Sequence, residues 1–213
     1  NKDLELQIVV AASAILPRYG DIQSEIVEDG FKIDSKIIMT LEGSSNVSMA
    51  KTTGIGVIEF ATVFENLDPD IVVIRGDRYE IMSAVIAANF HQIPVAHIGG
   101  GDTTLGAVDE CIRHSITKMS WLHFVSNSSS KKRVIQLGED PSRVFNIGSL
   151  GVDRLRNTSL LSRKLIEKKM KFKFNKKNLL ITYHPVTLEK NTSESQFKEI
   201  LSAVSKLKDT KLI

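Results

Sequence analysis

Short apolar runs separated by longer segments of mixed character recur along the whole chain. The runs Leu4–Val10, Ile33–Met39, Asp70–Ile74, Val95–Ile98, Leu122–Ser126 and Val144–Ile147 predict strands. In IVVI at 71–74 the apolar residues are consecutive, which suits a strand covered on both faces, as in a parallel sheet. Between the runs, Ser45–Asn66, Tyr79–Phe90, Ala107–Met119 and Ser129–Leu137 carry helical periodicity. Connections such as HQIP at 91–94 have the length of αβ loops. Strand and helix in alternation predict an α/β class, a Rossmann-like doubly wound parallel sheet over residues 1–156.

The pattern then changes. Residues 157–177 predict a basic linker; SRKLIEKKMKFKFNKK at 162–177 carries eight Lys or Arg against the single Glu167. A solvated face explains such a run better than a nucleic-acid patch, because Lys and Arg exceed Asp and Glu by only 28 − 25 = 3 overall. From 178 a second α/β unit begins, with a strand-like NLLITYHP at 178–185 and a helical Ser193–Leu207. It reaches Ile213 without enough residues to close a core.

Composition narrows the function classes. One cysteine, Cys111, forms no internal disulfide and points to a reducing cytoplasm. No uninterrupted apolar run reaches the roughly 18–20 residues of a membrane span. The histidines and Cys111 lack metal-ligand spacing, so no metal is expected. Neither GxGxxG nor GxxxxGK[ST] is present, and no cofactor is predicted. His91, His97 and His123 read as packing or turn residues.

In an open parallel sheet, ligands bind at the carboxyl ends of the strands. Four polar clusters follow predicted strands: RGDR at 75–78, HIGGGD at 97–102, NIGSLG at 146–151 and YHPVT at 183–187. Gly99, Gly100 and Gly101 permit positive φ and a close approach of backbone to ligand, and their amides are candidates to face an anion. In the helix that follows, Val108, Cys111, Ile112, Ser115, Ile116 and Met119 predict a buried stripe. Asp109 and Arg113 stand one turn apart, as do Glu110 and His114. As surface ion pairs these would be worth about 0.3–0.5 kcal/mol each. Their place behind a glycine-rich strand end argues equally for a site. Asp77 and Arg78 at the end of the IVVI strand are a second candidate pair, and His184, ahead of a proline, is a candidate phosphate donor.

GDRYEI (76–81), HIGGGD (97–102), DECIRHSITKMS (109–120), KKRVIQLGEDPSRVFNIGSLG (131–151) and TYHPVT (182–187) together resemble the hydrolysing UDP-N-acetylglucosamine 2-epimerases of sialic-acid and capsule biosynthesis. The resemblance covers nearly the whole chain. It implies a GT-B-type architecture of two Rossmann-like domains, the second truncated here, and a dimer or tetramer. It implies release of UDP from UDP-GlcNAc with inversion at C2 to give N-acetylmannosamine, through a 2-acetamidoglucal that is then hydrated. Asp77, Asp109 and Arg113 match positions implicated in catalysis; Arg78 and His184 match contacts to the UDP phosphates. Asp102 is the candidate acid where many relatives carry Glu or His in place of Gly99. Gly99–Gly101, His114 and Ser149 complete the expected substrate contacts. The departure at Gly99 leaves room for a 2,4-diacetamido-trideoxy sugar, or for a non-catalytic UDP-sugar binding module. The family has a further strand before residues matching NKDLELQ and a phosphate loop beyond Ile213, so the 213 residues alone are expected to be inactive.

Overall fold

The computed structural model describes residues 3–43, 45–186, 189 and 192–213. They divide into two compact units, one of residues 1–103 and 109–148, the other of 104–108 and 149–213.

The first unit is built from parallel strands and the helices between them. In chain order these are β1 (Val9–Ala11), α1 (Ile22–Glu28), β2 (Ser35–Ile37), α2 (Asn46–Leu67), β3 (Val72–Arg75) and α3 (Tyr79–Phe90). Then come β4 (Val95–Ile98), α4 (Val108–Lys118), β5 (Leu122–Val125), α5 (Ser128–Gln136) and β6 (Val144–Asn146). β3, β4, β5 and β6 form a four-stranded sheet in that order, while β1 and β2 pair with each other. Every pairing is parallel. The α/β class with a parallel sheet and flanking helices is as expected; β4 has the predicted bounds, β2, β5 and β6 are shorter, β3 is shorter and runs on to Arg75, and β1 lies at the far end of the predicted Leu4–Val10.

Two features define the core. α2 starts at Ser45, whose hydroxyl accepts from the Ser48 amide, and it buries Thr52, Gly56, Phe60 and Phe64 at helical spacing. Gly56 lets α2 close on its neighbours: a Cβ there would stand 2.3 Å from Met39 Cε and 2.7 Å from Ser83 Cβ. The rings of Phe60 and Phe64, tilted by 36°, have centres 5.6 Å apart within a cluster that also takes Ile37, Ile74, Val85 and Ile116. Burying each phenylalanine contributes about 2–3 kcal/mol. By length and composition α2 could cross a membrane, but in this unit it packs its buried face on α3 and β2.

One expectation fails at β3. The consecutive apolar residues suggested cover on both faces, yet Val73 is 62% exposed and only Ile74 is buried. The central β4 is the strand enclosed throughout, from Val95 through His97. Consecutive apolar residues record what a strand tolerates, and its place in the sheet decides what is covered.

The second unit contains α6 (Leu150–Asn157), α7 (Arg163–Lys169), β7 (Lys177–Leu179), α8 (Ser193–Val204) and β8 (Thr210–Leu212). β7 and β8 pair in parallel. Within the basic stretch, Arg163 bonds Glu167 and the Phe174 carbonyl, and the Lys211 ammonium sits 3.9 Å from the Phe172 ring centre.

Candidate active site

The carboxyl ends of β3 and β4 lie side by side, with Arg75 registered on Ile98. Each strand is followed by a glycine of positive φ, Gly76 at 97° and Gly99 at 92°. Gly76 donates to the Ile98 carbonyl at 3.1 Å, and Gly99 donates to Phe124 at 2.9 Å. The Gly99 amide therefore closes the sheet and is not turned to an anion, against the expectation.

The three glycines differ in what demands them. A Cβ on Gly100 would meet Thr117 Oγ1 at 3.0 Å and His97 Nδ1 at 3.1 Å. On Gly101 it would stand 2.4 Å from the Ser130 carbonyl oxygen. On Gly99 it would meet nothing within 4 Å. The loop is thus pressed onto α4 and α5 through its second and third residues, and opens at its first.

Arg113 organises what surrounds the loop. Its side chain is 5% exposed, and both Nε and one terminal nitrogen donate to Oδ2 of Asp77, Nε at 2.7 Å. The other terminal nitrogen donates to the Asp102 carbonyl at 2.8 Å and to Glu110 at 3.0 Å. This arginine is buried because a carboxylate from another strand end neutralises it; an unpaired guanidinium there would be costly. The predicted stripe on α4 is met in part: Ile116 is buried and Ile112 and Met119 pack against the core. Cys111 is exposed and Val108 is 37% exposed, while Arg113, Ile116 and Thr117 are buried. The spacing rule held for Ile112, Ile116 and Met119 and did not anticipate that Arg113, paired with Asp77, is buried beside them.

The other charges arrange themselves around this pair. Arg78 is the N-cap residue of α3; its side chain caps no backbone amide and instead gives two nitrogens to Glu80 in the first turn, at 3.0 and 2.8 Å. Glu80 raises the Arg78 pKa, against some loss to burial, with smaller help from the fields of Tyr79 and Asp109. The Asp109 carboxylate accepts no hydrogen bond from a described residue, and Arg113 pairs with Asp77 where the Asp109–Arg113 pair was expected. The Glu110–His114 pair does form, at 3.3 Å. The Asp102 carboxylate takes the hydroxyls of Ser126, at 3.2 Å, and Ser130, while Arg133 bonds the Gly101 carbonyl.

Beneath the loop lies His97, fully enclosed. Its Nε2 is 3.0 Å from the Gly76 carbonyl and its Nδ1 is 3.3 Å from Thr117 Oγ1. Burial pushes its pKa down to about 4, overriding the bond to Gly76.

Of the predicted residues, the structure gathers Asp77, Arg78, Gly99–Gly101, Asp102, Asp109, Arg113 and His114 around the ends of β3 and β4. His184 and Ser149 belong to the second unit; His184 is exposed, and Ser149 precedes α6 and accepts from the Asp153 amide. Thr187 of the TYHPVT motif lies outside the described residues. Glu80, Ser130 and Arg133 were not singled out as site residues, and His97 was set aside as packing. A histidine in the middle of VAHI, on a strand expected to be enclosed, was the available signal. Among the described residues no group of three or more His, Cys, Asp or Glu is placed to hold a metal ion.

Comparison with known proteins fits this geometry. The chain is 44% identical over 213 residues to the GDP/UDP-N,N'-diacetylbacillosamine 2-epimerase (hydrolyzing) of Campylobacter jejuni, covering all of this chain and 55% of that protein. It is 39% identical over 208 residues to the polysialic acid biosynthesis protein P7 of Escherichia coli, covering 98% of this chain and 53% of that one. The chain thus spans about half the length of the curated relatives it matches. Its fold matches the structure of UDP-N-acetylglucosamine 2-epimerase from Rickettsia bellii with a TM-score of 0.72 at 20% identity, over 96% of this chain and 54% of the other. The family profile described as UDP-N-acetylglucosamine 2-epimerase matches residues 1–213, and the chain belongs to that family.

Proposed function

We propose that this chain serves a hydrolysing nucleotide-sugar 2-epimerase acting in the cytoplasm as a dimer or tetramer. The observation that carries the reading is Arg113, buried at the strand ends and holding Asp77 and the Asp102 carbonyl together. Such a cluster suits a reaction that moves a proton at carbon while a diphosphate departs. A base takes the C2 proton, the C1–C2 double bond forms, and the C1–O bond breaks with its electron pair leaving on UDP. Water then adds to the 2-acetamidoglucal, its hydroxyl to C1 and a proton to the opposite face of C2.

Asp77, committed through Oδ2 to Arg113, orients the sugar with its other oxygen. Asp109, whose carboxylate takes no hydrogen bond from a described residue, removes the C2 proton, and a second group on the other face of the sugar returns one. Arg78, held out by Glu80, meets the developing charge on the diphosphate, and the open side of Gly99 accommodates the acetamido face. His184 and Ser149 are carried as candidate UDP contacts on the resemblance alone.

The first substrate to test is UDP-GlcNAc, with N-acetylmannosamine and UDP as products. A second reading, UDP-2,4-diacetamido-2,4,6-trideoxyglucose, is favoured by the name of the Campylobacter jejuni relative and by the open space at Gly99. A polypeptide completed to the length of the relatives is incubated with each sugar nucleotide in deuterated water, and the products are read by NMR. Deuterium at C2 of a released manno-configured sugar is expected from one of the two. Binding without turnover would instead favour a UDP-sugar binding module, and acceptor-dependent UDP release a glycosyltransferase.

A further inference from the structure

We propose that His97 is a positioning residue for the Asp77–Arg113 pair, a neutral imidazole spacer that locks the end of β3 and the buried turn of α4 to each other. The inference rests on the 2-epimerase reading for its catalytic consequence, and on geometry alone for the link itself.

A carbonyl oxygen only accepts, so the 3.0 Å contact to Gly76 places the ring proton on Nε2. In the neutral ring that burial favours, Nδ1 is then an acceptor. The hydroxyl proton of Thr117 is shared between Nδ1 at 3.3 Å and the Arg113 carbonyl at 3.0 Å, one turn back on α4. Both ends of the ion pair are reached in this way. Gly76 immediately precedes Asp77, and the Arg113 carbonyl belongs to the residue whose guanidinium Asp77 receives.

The imidazole also supports the loop above. Gly100 packs on the ring so closely that a Cβ would stand 3.1 Å from Nδ1. His97 makes no contact with solvent and faces no opening, so its effect on chemistry passes through Asp77 and Arg113. A leucine or phenylalanine would fill the space but leave the Gly76 carbonyl without its donor. The Gly76 amide is already fixed by the Ile98 carbonyl, so the bond from His97 is what holds the carbonyl side of the peptide that leads into Asp77.

The test compares His97→Phe, which keeps a flat ring without a donor, with His97→Gln, which keeps an N–H. In the 213-residue chain, the Arg113 Nε–H resonance is followed by ¹⁵N NMR together with the backbone amides. His97→Phe is expected to speed exchange of the Arg113 Nε–H about tenfold or more with amide dispersion retained, and His97→Gln to stay within about threefold of the parent. Unchanged exchange in His97→Phe would overturn the link. Should that variant fail to fold, Thr117→Val removes the hydroxyl bridge at similar volume; faster exchange supports the link and unchanged exchange overturns it.

In the completed polypeptide, His97→Phe should lower kcat about tenfold to a hundredfold with KM within about threefold, because a displacement near 1 Å has that effect on reacting geometry. Glutamine should restore most of the loss. A change in KM alone would overturn the positioning role. A parent enzyme without 2-epimerase turnover would retire the proposed reaction, while the Arg113 measurement would still decide whether His97 makes the link.

Discussion

Arg113 and Asp77, 36 residues apart in sequence, meet through two guanidinium nitrogens on a single carboxylate oxygen. The arginine side chain is 5% exposed and the aspartate 26%. The pair joins α4 to the end of β3, and its third partner, the Asp102 carbonyl, ties in the glycine loop. A single side chain therefore sets the spacing of three segments that no local rule connects.

Removing that guanidinium should be felt in stability before any activity is measured. Arg113→Met leaves Asp77 and the Asp102 carbonyl without their donor, and is expected to cost about 3 kcal/mol. The low end of the range applies because Asp77 is partly open to water. Arg113→Lys keeps the charge but has no fork to span carboxylate and carbonyl together, so a loss of about 1–2 kcal/mol is expected. Urea denaturation of the three proteins orders them; equal midpoints would mean that the pair contributes nothing net.

Asp109 should behave in the opposite way. Its carboxylate takes no hydrogen bond from a described residue, so Asp109→Asn is expected to change stability by less than about 0.5 kcal/mol. As the proposed acid/base group, its loss should lower turnover of the completed polypeptide about 10²-fold. Loss of stability with turnover intact would reverse the assignment and make Asp109 structural.

The contrast between these aspartates shows what sequence patterns convey. Element positions were legible: α3 spans Tyr79–Phe90 as its periodicity predicts, and α2 begins after the Ser45 cap. The Glu110–His114 pair was legible too, because one turn of helix fixes it. The partner of Arg113 was not. Spacing suggested Asp109, four residues away, whereas the sheet brings up Asp77, and no periodicity records which strand end a helix faces. For the same reason the burial of Arg113 and Thr117 beside Ile112, Ile116 and Met119 could not be read from the apolar residues of α4. His97 escaped notice as a positioning group because its worth lies in two partners, Gly76 and Thr117, that only the fold places beside it.

The glycines of the loop give a graded prediction. Gly101→Ala would put Cβ 2.4 Å from the Ser130 backbone oxygen at a φ of 80°, with no flexible side chain to yield. A loss of about 2–4 kcal/mol is expected from clash and strain together. Gly99→Ala meets open space and carries only the strain of its φ, about 1–2 kcal/mol. If the two variants melt alike, the loop does not lie on α5 as described.

His97 links stability to pH with a definite sign. The groups facing it are His123 on β5, Asp77 after β3 and Arg113 on α4; of these, His123 and Arg113 oppose a charge on the ring and Asp77 favours it. Burial dominates and holds the ring's pKa near 4, against 6.5 for the exposed side chain. Between those values the unfolded chain binds a proton that the folded one refuses. Stability present above pH 6.5 is therefore lost as pH falls toward 4, by about 3 kcal/mol from this residue. His123, also lowered by burial, acts in the same direction. His97→Gln has nothing to titrate, so its unfolding free energy should fall less than the parent's between pH 7 and pH 4.5. Parallel losses in parent and variant would mean that His97 is protonated in the folded state, and its bond to Gly76 would then no longer define the tautomer.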